Sequence, residues 1–145
     1  MRIMLVVFFI ASSLSHACNS SRGIMPVDSF GYIYDEDMSE ELKSFVLFFP
    51  KENEGHNLYI LDIDVKGIFQ ARMTLDNSWQ YPNHYSSDIS VRPQDIDKVE
   101  FHAHYLKVYP DGKVGSCGPS FKYTLERLLT APIPDPKEGP PPPRG

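Results

Sequence analysis

Four polar side chains stand at strand-like spacing and are of types that bind metal ions. His102 and His104 are two residues apart, and so are Asp62 and Asp64. Residues two apart share one face of a β-strand, and imidazole and carboxylate groups bind metals when a neighbouring strand supplies a third ligand. The sequence does not show whether the two strands are adjacent. A solvent-facing polar side of a sheet has the same pattern, so two interpretations stay open.

A second candidate site lies in residues 76–92, which carry no sustained hydrophobic period. The single tryptophan, Trp79, stands there with Tyr81, His84 and Tyr85. Long connections without regular structure inside a compact domain are usually functional or mobile. We therefore expect these four side chains to form a surface that binds a protein or a glycan. The alternative is that Trp79 folds inward and closes one end of the core.

The two cysteines, Cys18 and Cys117, allow two exclusive fates. Residues 14–18 read LSHAC and resemble the lipobox of bacterial lipoproteins, with a small residue before the cysteine. Cleavage after Ala17 would leave Cys18 as the first residue, able to carry an acyl anchor. The other fate is a disulfide with Cys117, which would close a loop of about 100 residues and stabilise the fold by roughly 4 kcal/mol. Both fates stay open.

No spacing in the chain indicates catalysis. Cys117 stands between Ser116 and Gly118 in a segment without the strand, turn and helix of a nucleophile elbow. There is no glycine-rich phosphate loop, and the carboxylates are scattered. We therefore expect a protein that is not an enzyme and that needs no cofactor.

The elements that must position these residues are mostly β-strands. Alternating or continuous apolar residues predict strands over residues 44–50, 58–66, 68–75, 97–109, 114–117 and 120–129, and the last turn of the final segment could be helical. Residues 37–44 predict a short helix. This pattern favours an all-β fold, a single antiparallel β-sandwich that is Ig-like or a partly open barrel, with at most one or two short helices. A helix packed on one sheet is the third choice.

Two of these segments predict which side chains face the core. The expected inward residues are Tyr59, Leu61, Ile63 and Val65 in the first and Val99, Phe101, Ala103 and Tyr105 in the second. The apolar run over residues 44–50 indicates a central strand that is covered on both faces.

Both ends of the chain differ in composition from its middle. Residues 1–17 combine a basic start, an apolar run and small residues, which is typical of a secretory signal peptide. The alternative is a buried strand or helix of the domain. Residues 18–26 suit a flexible tether and residues 27–130 one β-domain. Residues 131–145 contain seven prolines, which predicts a disordered or polyproline II tail, either solvated or a ligand for an aromatic groove.

Charge and length narrow the function classes. The formal net charge of −5 argues against nucleic acid as a partner, because phosphate binding needs clustered basic residues. No apolar run reaches the length of a transmembrane helix. We expect an exported binding or accessory module of the cell envelope, periplasmic or an outer-membrane lipoprotein in a bacterium and otherwise secreted. The alternatives are a metal-binding exported protein that uses His102 and His104, and a structural subunit of an envelope assembly.

Overall fold

The computed structural model describes residues 28–34 and 41–137 of the chain. Within these ranges the chain forms nine strands: β1 (Phe30–Ile33), β2 (Lys43–Pro50), β3 (Glu52–Asn53), β4 (His56–Val65), β5 (Phe69–Arg72), β6 (Asp76–Asn77), β7 (His84–Val91), β8 (Val99–Leu106) and β9 (Ser120–Thr124). A 3₁₀ helix (Pro93–Lys98) precedes β8, and a short α-helix, α1 (Leu125–Thr130), follows β9. None of the helices in these ranges has the length and apolar character that crossing a bilayer requires.

The strands form two antiparallel sheets. Sheet A has the order β1-β2-β7-β6, and sheet B has the order β3-β4-β8-β9. β5 also belongs to sheet B, where it pairs with the C-terminal half of β4. The sheets do not close into a barrel within the described ranges, which confirms the predicted all-β, sandwich-like fold.

The main core lies between the two sheets. Val99, Phe101, Ala103 and Tyr105 of β8 are all buried, as their alternation predicts. Across from them, β2 contributes Phe45, Leu47 and Phe49. The ring of Phe49 lies 5.5 Å from that of Tyr123 and 6.0 Å from that of Phe101.

Sheet A is also covered on its outer face. Phe48 of β2 points away from the main core and stacks on Phe30 with ring centroids 4.8 Å apart. Tyr81 meets both rings edge-on at 4.9 Å. We call Phe30, Phe48 and Tyr81 the outer aromatic cluster. β2 is therefore buried on both faces, as its continuous apolar run predicts.

The predicted inward face of β4 is wrong at one residue. Leu61, Ile63 and Val65 are buried, but Tyr59 is exposed and Leu58 is buried in its place. The pairing of β4 with β8 shifts register between Leu58 and Ile60. Such a bulge adds a residue on one strand and reverses the face of the side chains beyond it.

Several predicted boundaries also change. Lys43 and Ser44 belong to β2 and not to the predicted helix of residues 37–44, half of which falls outside the described residues. Residues 114–117 form one isolated bridge, between Val108 and Val114, in place of a strand. The last turn of residues 120–129 is helical, because the side chain of Thr124 caps α1 by accepting from the backbone N–H of Arg127.

Candidate functional site

The segment predicted to be an unstructured binding loop is mostly a strand. Residues 84–91 form β7, which pairs with β2 along its whole length in sheet A. Only residues 78–83 form a connection between β6 and β7. The alternation was hidden because Ser87 points inward, where its hydroxyl donates to the carbonyl oxygen of Thr74 at 2.9 Å. A buried serine in place of an apolar residue removes the signal that would have predicted a strand.

The four residues predicted to share a binding surface lie in different surroundings. Trp79 is 49 % exposed, so the alternative that it closes the core is wrong. Tyr81 is buried in the outer aromatic cluster, and His84 Nε2 lies 2.8 Å from the carbonyl oxygen of Asp28. Tyr85 points to the opposite face of sheet A and packs on the main core. No single surface therefore carries all four side chains.

The four predicted metal ligands do lie on one face of sheet B. Asp62 is directly opposite His102, so β4 and β8 are neighbours, which the sequence did not show. Each carboxylate already has a partner, however. Asp62 Oδ1 accepts from Arg72 Nε at 3.1 Å, and Asp64 Oδ2 accepts from the Gln70 amide at 2.9 Å.

His104 also has a hydrogen-bond partner, since its Nδ1 lies 2.9 Å from the hydroxyl oxygen of Ser120. Within residues 28–34 and 41–137, no three His, Cys, Asp or Glu side chains are grouped so that they could hold a metal ion. The face is a polar, hydrogen-bonded outer side of a sheet, and metal binding gains no support from it.

Cys117 lies in the segment between the turn after β8 and the start of β9. It is half-buried, and its Sγ is 3.8 Å from the hydroxyl oxygen of Ser116. Cys18, the signal peptide and the tether fall outside the described residues. The choice between lipid and disulfide for Cys18 therefore stays a prediction.

A cleft between the two sheets is the largest feature that sequence reasoning missed. It opens between β7 of sheet A and β5 of sheet B and has a volume of about 670 Å³. Its walls are mainly apolar and include Ile63, Val65, Phe69, Met73, Ile89 and Val91. Phe69 remains 51 % exposed at its mouth. One signal was available, because Ile68 and Phe69 are adjacent large apolar residues, and an alternating strand over residues 68–75 would bring only one of them to the core.

The backbone of β7 is unpaired along the cleft. β6 covers only Tyr85 and Ser86, and no other described strand pairs with this side of β7. The carbonyl of His84 accepts from Ser78 on the β6 side, and alternate residues of a strand direct N–H and C=O to the same side. Asp88 and Ser90 therefore direct their backbone N–H and C=O groups to the free edge.

The charges at the cleft are predominantly acidic. Asp76 and Asp88 stand at its rim. The nearby Arg92 is engaged by Asp95, whose Oδ2 lies 2.6 Å from its guanidinium, while Asp95 Oδ1 lies 2.8 Å from Lys98 Nζ. The hydrogen bond from Lys98 is the main reason that the pKa of Asp95 is lowered. Among the described residues that line the cleft, Arg92 is the one base and is paired with Asp95, so Asp76 and Asp88 leave the rim with a net negative charge.

No family model, curated protein or solved structure matches this chain. Function is therefore inferred from the chemistry of the cleft and of the outer face of sheet A. These two surfaces lie on opposite sides of sheet A, since the cleft faces sheet B and the outer aromatic cluster faces away from it.

Proposed function

We propose that this chain is an exported, non-enzymatic binding module that takes up an extended segment of a partner protein as an additional strand on β7. The observation that carries the proposal is the free backbone edge at Asp88 and Ser90, which runs directly over an apolar cleft. An exposed strand edge offers main-chain hydrogen bonds to an extended peptide, and pockets for alternate side chains supply specificity.

The cleft supplies those pockets. A strand paired with β7 would direct every second side chain between the sheets, toward Phe69, Met73 and Ile89. These walls would remove apolar side chains of the partner from water, which is favourable by about 25 cal/mol of free energy per Å² of apolar surface buried. Phe69 would become buried on binding, and a partner would thus cover the large apolar side chain that is exposed at the mouth of the cleft.

The rim favours a basic partner. Side chains of the incoming strand that point away from the cleft would pass near Asp76 and Asp88. Lysine or arginine at those positions would gain a favourable interaction that salt screens. The expected ligand is thus an extended segment in which apolar residues alternate with polar and basic ones.

Export rests on the sequence of residues 1–17, which has the three parts of a signal peptide. A binding module of this kind outside the cytoplasm suits an accessory role in a cell envelope. An acyl anchor at Cys18 would hold it at a membrane, and its partner would be another exported protein.

Hydrogen exchange tests the proposal directly. The probe is a capped nine-residue peptide in which valine alternates with threonine and lysine, added to the chain purified after export. We expect the amide protons of Asp88 and Ser90 to exchange quickly in the free protein and to become protected on titration. Binding should weaken as the salt concentration rises from 0.05 to 0.5 M.

Two variants of matched exposure distinguish the cleft from the loop. Phe69→Ser removes the aromatic ring at the mouth of the cleft and should abolish protection of Asp88 and Ser90 without lowering the melting temperature appreciably. Trp79→Ala removes an equally exposed ring outside the cleft and should bind as the wild type does. If Trp79→Ala loses binding and Phe69→Ser keeps it, the site is the loop of residues 78–83 and the proposal is wrong.

A further inference from the structure

Part of the proline-rich tail is held on the outer face of sheet A. The hydroxyl of Tyr81 donates a hydrogen bond to the carbonyl oxygen of Pro134 at 3.2 Å. Three residues later, the backbone N–H of Lys137 donates to the carbonyl oxygen of Gln80 at 3.1 Å. Two residues of the predicted tail are thus hydrogen-bonded to the connection between β6 and β7, whereas residues 138–145 fall outside the described part of the chain.

The segment begins against aromatic side chains and is otherwise exposed. Ala131 packs on the outer aromatic cluster, at the point where the chain leaves α1. Tyr81 keeps only 8 % of its surface exposed although it belongs to a connection between strands. Burial is the largest cause that raises the pKa of Tyr81, with a smaller contribution from the charge of Asp135 in the tail. Its hydroxyl is therefore a protonated donor at neutral pH.

The segment has the chemistry that aromatic grooves select. Prolines alternate at Pro132, Pro134 and Pro136, so every second residue lacks a backbone N–H. Their carbonyls stay free to accept, and the restricted backbone loses little entropy when it is fixed. A tyrosine hydroxyl that donates to a proline carbonyl over packed aromatic rings is a mode by which proteins bind polyproline II segments.

We propose that Tyr81 and Gln80, over the outer aromatic cluster, form a recognition site for an extended proline-rich segment, and that residues 131–137 are its tethered ligand. The site is separate from the cleft and does not depend on strand addition to β7. Because the ligand is on the same chain, a free segment of the same chemistry has to displace it in order to bind.

Proteolysis at the end of the segment tests the site in the intact chain. A lysine-specific endopeptidase cuts after Lys137, whose N–H is hydrogen-bonded in the bound state. Cleavage then follows the fraction of molecules in which the tail is released. We expect Tyr81→Phe to raise the cleavage rate about fivefold, the factor that corresponds to one hydrogen bond. Tyr59→Phe, which removes an exposed hydroxyl from sheet B, should leave the rate unchanged.

Competition provides the second arm. A capped peptide with the sequence of residues 131–139, with arginine in place of Lys137 so that the lysine-specific endopeptidase does not cut it, should accelerate cleavage of the wild-type tail at millimolar concentration. It should also change the fluorescence of Trp79, which adjoins Gln80. The same peptide with alanine at all three proline positions should do neither. Melting temperatures of both variants establish that they are folded before the rates are compared.

Three outcomes would overturn the proposal. Equal cleavage rates of Tyr81→Phe and Tyr59→Phe would mean that the Tyr81 hydroxyl does not hold the tail on the domain. Equal competition by the alanine peptide would show that proline is not recognised. Cleavage that slows as the protein concentration rises would mean that the tail binds a second copy and is not tethered to its own site. None of these results affects the exchange of Asp88 and Ser90, so the cleft proposal stands or falls separately.

Discussion

Tyr105 of sheet B donates a hydrogen bond to the carbonyl oxygen of Pro50, at the end of β2 in sheet A, across 2.9 Å. Both residues are buried. The bond ties the two sheets at the end of the sandwich where β2 turns toward β3. A second hydroxyl bond nearby, from Ser29 to Tyr123 at 3.2 Å, joins the chain just before β1 to β9 in the same way. Two buried tyrosines thus act as polar links across an otherwise apolar core.

The hydrogen bond from Tyr105 to Pro50 should contribute measurably to the free energy of unfolding. Tyr105→Phe keeps the ring but leaves the Pro50 carbonyl buried without a donor, which costs about 1–3 kcal/mol. Urea denaturation should show a lower midpoint with an unchanged slope. Tyr59→Phe, at an exposed position, serves as the control and should stay within about 0.5 kcal/mol of the wild type. Equal stability of the two variants would contradict a structural role for the bond.

Alkaline pH should destabilise the fold through the same tyrosines. Burial raises the pKa of Tyr123 to about 12 and raises the pKa of Tyr105 further. The pKa of each tyrosine in the folded protein is higher than its value near 10 in the unfolded chain. The protonated tyrosines therefore contribute their full stability below pH 10, and this contribution is lost as the pH rises above 10. Each tyrosine adds a slope of about 1.4 kcal/mol per pH unit in that window. In urea denaturation between pH 9 and 11, the free energy of unfolding should fall less steeply with pH for Tyr123→Phe than for the wild type.

Acid should act through Glu100. Its carboxylate lies 2.6 Å from Lys122 Nζ and 2.9 Å from Lys66 Nζ, and the hydrogen bond from Lys122 is the main reason that its pKa is lowered. The pKa of Glu100 is lower in the folded protein than its value of about 4.5 in the unfolded chain. The stability that the ionised carboxylate contributes is therefore present above about pH 4.5 and is lost as the pH falls through the folded pKa. Glu100→Gln should therefore flatten the fall in unfolding free energy between about pH 5 and pH 3.

The control for the acid experiment is Glu126→Gln, which changes an exposed carboxylate on α1. That variant should follow the wild-type curve. If Glu100→Gln does so as well, the two lysines add no stability that depends on the charge of Glu100.

Gly118 should tolerate no side chain. A Cβ at this position would overlap the backbone carbonyl oxygen of Tyr105, which is fixed in β8. The next residue, Pro119, accepts a hydrogen bond from the Tyr105 N–H at 2.9 Å. Gly118→Ala has to push this segment off β8 and should destabilise the fold by several kcal/mol, on the order of the largest single-residue effects.

Gly115→Ala is the matched control for that experiment. Its added Cβ would meet Lys107 Cβ at 3.4 Å, which is an ordinary contact. We expect a change below about 1 kcal/mol in thermal or urea unfolding. A Gly118→Ala protein as stable as this control would show that the close approach to β8 is not required.

Intact mass decides the fate of Cys18. We expect a mature chain that begins at this residue, and the mass should show either added acyl chains or, with and without reductant, a difference of two hydrogens for a bridge to Cys117. A mass that retains residues 1–17 would contradict export by a cleaved signal. An unmodified chain with two thiols would exclude both fates.

Strand alternation alone was sufficient to predict β8 and most of β4. Val99, Phe101, Ala103 and Tyr105 all face the core because strict apolar alternation allows only one buried face. Tyr59 broke the same rule in β4. The bulge next to it depends on pairing with β8, and no pattern local to β4 encodes it.

The candidate sites were harder to predict for the same reason. Asp62 and His102 were correctly expected on polar faces, but their adjacency and the competing partner Arg72 come from strand pairing. β7 was missed because Ser87 satisfies its inward hydroxyl through Thr74, and that hydrogen bond exists only in the folded chain.

The sequence by itself determined the class of the fold, the core face of its most regular strands and the expectation of export. These follow from local composition and period, which are properties of short stretches of chain. The tertiary structure decided which edge stays unpaired over an apolar cleft and which surface holds the proline-rich segment. Both depend on residues far apart in the chain, such as Phe69 and Ile89, which line the same cleft, and Tyr81, which is hydrogen-bonded to Pro134. Distant pairing is settled by packing and hydrogen bonding in three dimensions, and local patterns carry little information about it.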